Sequence, residues 1–270
     1  MGASPRPPRS SWTGGLDEER QDGPADGKDM KRVARRAVEA QPPKEDRLLE
    51  RLAARALELV GDAVVIGLGS GHAASAFIRA LGGEARVGRA VRGVPTSEAS
   101  ARLARKVGIQ LTGLDEPSVD VTVDGADEVD PALNLIKGYG GALARERIVA
   151  AASRRQLILV ASDKLVPVLG SRGRLPLEVV PFALPLVLRR LAQSGCAPAV
   201  RTVGGRRFLT DNDNLIVDCT VEPIEDPAAL DRRLRAIPGV VDTGLFLGTA
   251  DTVLVADGEG VRELRRMGGT

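Results

Sequence analysis

The sequence predicts an α/β protein in which helices cover both faces of a parallel sheet. Short apolar runs alternate with segments whose apolar residues recur at helical spacing, a pattern typical of β-α units built on one sheet. Toward the end of the chain the order changes to β-α-β-β-α, and the polar turn DNDN joins two of the strands. This change predicts a smaller antiparallel α+β unit inserted in the larger parallel one.

The elements of the first unit follow in order along the chain. Helical spacing occurs in RLLERLAARALELV, HAASAFIRAL, SEASARLARKVG and GALARERIVAAAS, and the glycine pair at 82–83 is expected to end the second of these helices. The intervening runs AVVIGLG, RAVRGV, IQLTGL, DVTVDGAD and QLILVAS are short and largely apolar, so they are predicted to be strands.

The second unit begins at LPLEVVP. A helix is expected within 181–195, strands in PAVRTVG and on both sides of the turn in FLTDNDNLIVDCTV, and a helix in PAALDRRLRAI. The runs VVDTGLFLG and TVLVADG are expected to return to the first sheet. We therefore predict a Rossmann-like domain over 46–171 and 242–270, with a small ferredoxin-like α+β domain over 172–241.

Residues 1–45 differ from the rest of the chain. They are rich in Pro, Gly, Ser and mixed charge, and they contain few large apolar residues, of which Trp12 is one. Such a segment buries too little apolar surface to offset the entropy lost on ordering, so we expect a disordered extension. The run KRVARRAVEA could still form one or two helical turns.

Composition excludes several classes of function. With 270 residues, 43% of them apolar, the chain can form a full core, but a net charge of +2 and only 2% aromatic residues argue against nucleic-acid binding.

No run approaches the roughly 18 apolar residues of a membrane span, and the start lacks the apolar core of a signal peptide. Cys196 and Cys219 fit buried thiols in a reducing compartment. We expect a soluble cytoplasmic protein without nucleic-acid or membrane partners.

A glycine-rich loop, GLGSGH, follows the first strand and precedes a helix. A dinucleotide loop has the pattern G-x-G-x-x-G, with an acidic residue about twenty positions on. Gly67 and Gly69 fill the first two places, but His72 takes the third and the next strand ends near Arg92. No Lys-Ser/Thr pair follows the glycines, so the ATP-binding pattern fails as well. A NAD or ATP site is therefore disfavoured.

A compact anion site remains as the interpretation of this loop. Gly69 and Gly71 leave backbone amides free to face a ligand at the start of a helix, and Ser70 adds a hydroxyl. The turn PTSEAS, with Thr96 and Ser97, begins the next helix at the same sheet edge. Two such turns can hold one phosphomonoester. The alternative is that the glycines only permit tight packing of strand and helix.

The acidic segment DVTVDGADEVDPALNLIKGYGGALARERIVAAAS is the most informative. Asp124 and Asp127 stand at the end of a strand. Lys137 precedes a second glycine-rich loop, which contains Gly138 and Gly140, and Glu146 lies on the following helix. Carboxylates beside one lysine and an anion loop would suit proton transfer on a phosphorylated sugar.

Other acidic residues have simpler interpretations. Asp127 and Asp130 could be simple caps or turn residues, Asp130 before Pro131 especially, and the same alternative holds for Glu128. The calcium-loop pattern fails, because Val129 stands where that loop needs glycine. We expect no metal, and we interpret the DNDN turn as hairpin chemistry rather than a metal site.

Taken together, these motifs resemble the type A ribose-5-phosphate isomerase family. The resemblance rests on D-G-A-D-E, on I-K-G-x-G-G-A-L with a glutamate nine residues after the lysine, and on A-S-D-K. It also includes the G-x-G-S/T-G loop, V-P-T-S, L-P-L-E-V-V-P, T-D-N-x-N and I-P-G-V-V-x-T-G-L-F, over about 46–261.

The resemblance implies an activity and roles for residues. The family interconverts ribose 5-phosphate and ribulose 5-phosphate without metal or organic cofactor, and its members form dimers or tetramers. By resemblance, Glu146 would be the general base, Asp124 would assist ring opening, and Lys137 would stabilise the developing oxyanion. Asp127 would hold the sugar or order the site. Lys164 and the hydroxyls of the two turns would bind substrate, largely through its phosphate.

The chain departs from the family at three places. His72-Ala73 stands where the family usually has Ser-Thr, Tyr139 where it usually has glycine, and Ala144 where Thr is common. His72 could contact the phosphate or be an exposed loop residue, and both remain open. Two other functions stay open as well: a non-catalytic sugar-phosphate sensor, and an isomerase of another phosphorylated aldose.

Overall fold

The structure is a computed structural model and describes residues 44–115 and 118–266. These described residues form one compact unit. Its α-helices are α1 (Lys44–Val60), α2 (Gly71–Arg86), α3 (Glu98–Val107), α4 (Leu143–Ala151), α5 (Leu184–Gln193) and α6 (Pro227–Arg235). Short 3₁₀ helices occupy Ser162–Lys164 and Pro181–Ala183.

Strands alternate with these helices. Those of the first half are β1 (Val65–Leu68), β2 (Arg92–Pro95), β3 (Gln110–Leu111), β4 (Val121–Gly125), β5 (Glu128–Val129), β6 (Leu135–Ile136) and β7 (Gln156–Ala161). Those of the second half are β8 (Arg174–Val179), β9 (Ala197–Val200), β10 (Thr202–Val203), β11 (Arg206–Arg207), β12 (Leu215–Thr220), β13 (Val240–Thr243), β14 (Leu245–Phe246), β15 (Thr252–Ala256) and β16 (Val261–Arg265).

A seven-stranded sheet organises the larger part of the molecule. Its order is β16-β15-β7-β4-β1-β2-β3, and every neighbouring pair is parallel except β15 with β16. Residues of α1, α2 and α3, among them Leu52 and Phe77, pack on one face, while Leu143 and Val149 of α4 pack on the other. The predicted α/β architecture is confirmed.

The strand register places the loops that carry the site at one edge of this sheet. In β1, Leu68 is paired with Pro95 of β2 and with Val123 of β4. Gly125, at the end of β4, is paired with Leu159 of β7. Because these strands are parallel, their carboxyl ends meet, and the segments that follow them converge on one edge.

The glycine pair at 82–83 does not end the second helix, so that expectation was wrong. Helix α2 continues to Arg86. A Cβ atom added at Gly82 would lie 2.4 Å from Cγ2 of Val107, on the neighbouring helix α3. Gly82 therefore allows α2 and α3 to pack closely, which explains a glycine inside the helix.

A four-stranded antiparallel sheet forms in the later part of the chain, in the order β13-β8-β12-β9. Its apolar core includes Val187 of α5 and Leu234 of α6. The FLT segment before the DNDN turn is not a full strand, because it has only the isolated bridge from Leu209 to Leu215. Side-chain hydrogen bonds of the turn to Glu178 take the place of a strand ladder there.

The VVDTGLFLG segment does not return to the seven-stranded sheet, contrary to expectation. Strand β13 is paired with β8, and β14 is paired with β6 in a three-stranded sheet with β5. The reason lies in burial: Leu245 packs in the core of the four-stranded sheet, whereas Phe246 packs against residues of the seven-stranded sheet. Of the two runs, TVLVADG alone returns, as β15. The division into two domains stays a prediction.

The predicted extension lies outside the described residues except for its last two positions. Lys44 and Glu45 form the first turn of α1. Within the described residues, no helix combines the length and apolar character that crossing a membrane requires.

Candidate active site

A cleft of about 330 Å³ opens at the sheet edge where β1, β4 and β7 end. Two groups of predicted site residues line it. The first group was predicted to bind substrate: Ser70, Gly71, His72 and Lys164. The second group comes from the acidic segment and the loop after it: Asp127, Lys137, Gly138, Gly140 and Glu146. The structure thus brings together residues separated by almost a hundred positions.

A buried lysine between two carboxylates forms the floor of the cleft. Nζ of Lys137 lies 3.0 Å from Oδ2 of Asp124 and 3.2 Å from Oε2 of Glu146. All three side chains are at most 7% exposed. At this depth water screens charges weakly, so each group strongly affects the ionisation of the others.

Asp124 is fixed from the side of the first glycine-rich loop. Its Oδ1 atom accepts hydrogen bonds from the backbone amides of Ser70 and Gly125, at 3.0 and 2.8 Å. A Cβ atom added at Gly69 would lie 2.2 Å from the same oxygen. Gly69 is thus required for the close approach of the loop to Asp124. Asp124 itself is fully buried and is absent from the cleft lining, because it lies behind Lys137.

Lys137 follows β6 and reaches back toward the end of β4. Its ammonium group donates to the carbonyl of Gly125 at 2.5 Å and lies 5.5 Å from the ring centre of Phe246. The amide of Lys137 donates to the carbonyl of Gly244. The side chain is therefore held at both ends, and its charge is aimed at the cleft.

The pKa values of these groups are coupled. Burial, followed by the charge of Asp124, raises the pKa of Glu146 to about 7, against the opposing attraction of Lys137. Burial acts to lower the pKa of Lys137, but Asp124 and Glu146 outweigh it and raise that pKa above its ordinary value. The cluster therefore combines a permanently charged ammonium with a carboxylate that can exchange a proton near neutral pH.

Asp127 stands beside this cluster. Burial raises the pKa of its carboxyl, although the hydrogen bond that it accepts from the amide of Tyr139, at 2.9 Å, acts in the opposite direction. This bond joins Asp127 to the second glycine-rich loop. Tyr139 extends from that loop to donate to the carbonyl of Arg174 at 3.2 Å, and the Arg174 guanidinium stacks on its ring.

The predicted hydroxyls form a chain that only partly faces the cleft. Oγ of Ser70 contacts Oγ1 of Thr96 at 2.9 Å and Oγ of Ser97 at 3.0 Å. Thr96 and Ser97 are buried, and neither lines the cleft. They therefore support Ser70 from behind, while Ser70 faces the cleft.

His72 and Lys164 lie at the rim. His72 is exposed in the first turn of α2, where backbone amides favour an anion. Lys164 ends the 3₁₀ helix after β7, with Nζ 4.0 Å from a carboxylate oxygen of Asp163. Both side chains line the cleft, so they can contact a ligand bound there.

Some lining residues were not predicted. Glu45 and Leu49 come from α1, and Asp163 precedes Lys164. Asp163 could have been found from the A-S-D-K motif, but the α1 pattern indicates only an amphipathic helix. Asp130 fits the alternative of a turn residue, because it accepts from the amide of Asn134. Glu128 is neither a cap nor a turn residue: it is a buried residue of β5 whose carboxylate accepts from the amides of Gly170 and Arg172.

The fold and the cleft define a class of protein: an α/β protein with a buried lysine between two carboxylates and a glycine-rich loop at one sheet edge. Residues 92–260 match the family model described as ribose 5-phosphate isomerase A (phosphoriboisomerase A). The protein named ribose-5-phosphate isomerase A in Roseiflexus castenholzii is 50% identical over 225 residues, which cover 82% of this chain and 96% of the relative. The chain belongs to the ribose 5-phosphate isomerase A family.

Other similar proteins support the same family. The protein of the same name from Gloeobacter violaceus is 49% identical over 221 residues, covering 81% of this chain and 96% of the relative. The solved structure of ribose 5-phosphate isomerase A from Methanocaldococcus jannaschii has a TM-score of 0.78 at 40% identity, covering 82% of this chain and all of that one. A D-ribose-5-phosphate isomerase in complex with phospho-erythronic acid has a TM-score of 0.79 at 38% identity, over 82% and 99%.

Proposed function

We propose that this chain interconverts ribose 5-phosphate and ribulose 5-phosphate through a cis-enediolate. The observation that carries the proposal is the buried Asp124–Lys137–Glu146 cluster beneath the cleft. Family membership supports the same reaction. A non-catalytic sensor is not favoured, because sugar binding alone gives no reason to bury a lysine between two carboxylates.

Glu146 acts as the general base. Its carboxylate removes the proton from C2 of the open-chain aldose, and the electron pair moves onto the C1 carbonyl to form the enediolate. Glu146 then returns the proton to C1, and the proton of the C2 hydroxyl passes to the oxygen on C1, which leaves a ketone at C2 and a hydroxyl at C1. The pKa of about 7 suits a group that must take and return a proton near neutral pH.

Lys137 stabilises the enediolate oxygens. A C–H bond next to a carbonyl is a weak acid, so the rate depends on the stability of the anion as well as on the base. A buried, prealigned ammonium is worth several kcal/mol in this role, on the order of an oxyanion-hole donor. Asp124 keeps that ammonium charged and in place. The role of Asp124 in ring opening stays a prediction.

Substrate binding is shared between the loops. Ser70, His72 and the amides of the first glycine-rich loop bind the phosphate with Lys164, while Thr96 and Ser97 hold Ser70 in position. Gly138 and Gly140 line the cleft beside Lys137 and offer their backbone to the sugar. Asp127 holds the second loop and contacts sugar hydroxyls. The complex of a relative with phospho-erythronic acid supports a sugar-phosphate ligand in this chain.

Assembly and location are part of the same proposal. We infer a homodimer or homotetramer, as the family resemblance implies. The thiols of Cys196 and Cys219 are buried and unlinked, which supports a reducing, cytoplasmic location.

A turnover assay tests the function. Purified protein is incubated with ribose 5-phosphate and formation of ribulose 5-phosphate is followed, beside a Glu146→Gln variant and a Glu222→Gln control. Glu222 is exposed and outside the cleft. We expect turnover in the wild type and the control, and its loss in Glu146→Gln. Binding without turnover in all three proteins would overturn the proposal.

A further inference from the structure

The turn of residues 210–214, TDNDN, is built around a buried carboxylate. Glu178 of β8 is fully buried, and its Oε1 atom accepts hydrogen bonds from Thr210, Asn212 and Asn214, at 3.0, 3.0 and 2.9 Å. A network that holds three side chains on one buried oxygen is rigid. The four-stranded sheet therefore presents this turn in one fixed conformation.

One side of the turn contacts the helix that carries Glu146. Nε of Arg145 donates to Oδ1 of Asn212 at 2.8 Å, and its Nη2 atom donates to the carbonyl of Asp211 at 2.6 Å. Arg145 immediately precedes Glu146 in the first turn of α4. The contact therefore restrains the turn of helix on which the proposed base lies.

Another atom of the turn contacts the start of α3. Oδ2 of Asp211 accepts a hydrogen bond from the amide of Glu98 at 2.8 Å. Glu98 is the first residue of α3, directly after the N-cap Ser97, and a carboxylate is favoured at this end of a helix. Ser97 in turn contacts Ser70 at the cleft. Asp211 thus restrains the segment that supports the phosphate loop.

We infer that the 210–214 turn is a positioning element with two effects, each tested by a variant that leaves the ion pair of Arg145 with Glu98, 3.2 Å apart, in place. Through Asn212 and Arg145 it orients Glu146 for proton transfer, and through Asp211 and Glu98 it orients the hydroxyls behind Ser70. None of Arg145, Asp211 and Asn212 lines the cleft, so they act through the residues that they hold. This inference rests on the proposed function, because it assigns different kinetic steps to the two contacts.

The kinetic test compares three alanine variants of the turn. Asn212→Ala should lower kcat about tenfold with KM nearly unchanged, because a base displaced by a fraction of an ångström loses its alignment. Asp211→Ala should raise KM about fivefold with kcat nearly unchanged, because it weakens phosphate binding equally in the ground state and the transition state. Asn214→Ala is the matched control: it removes one bond to Glu178, as Asn212→Ala does, but leaves Arg145 bound.

A double-mutant cycle tests whether Asn212 acts through Arg145. Arg145→Ala should lower kcat at least as much as Asn212→Ala, because it also removes the ion pair with Glu98, and adding Asn212→Ala to it should lower kcat no further. Thermal unfolding is measured for all variants. Equal losses of kcat in Asn212→Ala and Asn214→Ala at equal losses of Tm would overturn the inference, since the turn would then have only a structural role. Additive effects in the cycle would overturn it as well.

Amide hydrogen exchange provides a readout that does not depend on activity. Asn212→Ala should speed exchange in 143–147 and leave 95–98 unchanged, and Asp211→Ala should do the reverse. Failure of the proposed function and failure of the positioning role are therefore distinguishable. A wild type that does not isomerise ribose 5-phosphate would overturn the proposed function, whereas exchange that rises equally in both segments in either variant would overturn the positioning role.

Discussion

The buried cluster and the first glycine-rich loop meet at one cleft but are built in opposite ways. Asp124, Lys137 and Glu146 are almost fully buried, and each lies within ion-pair distance of another. His72, in contrast, is exposed at the rim. Chemistry that depends on shifted pKa values requires burial, so the cluster tolerates little change. Phosphate binding at an open helix start would depend on several weak contacts, so we expect it to tolerate the His72-Ala73 departure.

The largest effect on activity is expected from a substitution in the buried cluster. Glu146→Gln should lower kcat by about 10³-fold, within the range that a positioned base supplies, with little change in KM. Steady-state kinetics with ribose 5-phosphate measure both constants. If the variant had the kcat of the wild type, Glu146 would not be the base. The buried cluster would then be no more important for catalysis than the first glycine-rich loop.

Lys137→Met should damage both activity and stability. The variant leaves two buried carboxylates without their counter-ion, which costs about 3–5 kcal/mol when one partner of a buried pair is removed. Because the pKa of Glu146 is already raised, its protonation relieves part of the repulsion in acid. Urea unfolding should therefore show a larger loss of stability at about pH 8 than at about pH 6. An equal loss at both pH values would contradict the coupling.

Gly69→Ala tests whether the loop and the cluster are independent. The added Cβ would lie 2.2 Å from Oδ1 of Asp124, so either the loop or the carboxylate must move. We expect kcat to fall by about 10²-fold, the scale reached by small misplacements. Gly83→Ala is the control, because it meets nothing within 4 Å. If KM changed and kcat did not, Gly69 would affect phosphate binding only, and the loop would be independent of the cluster.

The pH dependence of kcat/KM should have its midpoint near the pKa of Glu146. That pKa is raised to about 7 and the base must be ionised, so kcat/KM should fall about tenfold per pH unit below it and level off above it. The His72→Ala variant should show the same midpoint. A midpoint that disappears in this variant would contradict its assignment to Glu146.

The smallest effect is expected at the rim. His72→Ala should raise KM for ribose 5-phosphate roughly three- to tenfold and leave kcat nearly unchanged, since it removes a contact made equally in ground and transition states. The KM of a substrate analogue without the phosphate should not change. An unchanged KM for ribose 5-phosphate would leave His72 as an exposed loop residue.

The sequence predicts which charged residues meet beneath the cleft better than it predicts what surrounds them, for physical reasons. Glu146 and Lys137 lie in motifs next to strand ends, and parallel strands bring such ends together. Glu45 and Leu49 reach the cleft because of how α1 packs, which helical periodicity does not encode. The depth of Asp124 behind Lys137 depends on a close approach at Gly69, and that approach arises only in the folded chain.

In the second half of the chain, the sequence likewise does not predict which strands pair with each other. VVDTGLFLG has the pattern of one strand, yet Leu245 and Phe246 face two different cores, so the segment divides between two sheets. FLT also has a strand pattern, but Glu178 holds the following turn through side chains. In both places long-range partners decide the pairing, and local propensity does not identify them.

Solvent exchange tests the central claim most directly, because it follows the transferred proton itself. Ribose 5-phosphate at saturating concentration is incubated in D₂O with the wild type, Glu146→Gln or His72→Ala, and deuterium at C1 of ribulose 5-phosphate and C2 of ribose 5-phosphate is measured by NMR. The wild type and His72→Ala should incorporate deuterium at similar rates, and Glu146→Gln should incorporate almost none. Incorporation by Glu146→Gln at the rate of the wild type would contradict the assignment of Glu146 as the base.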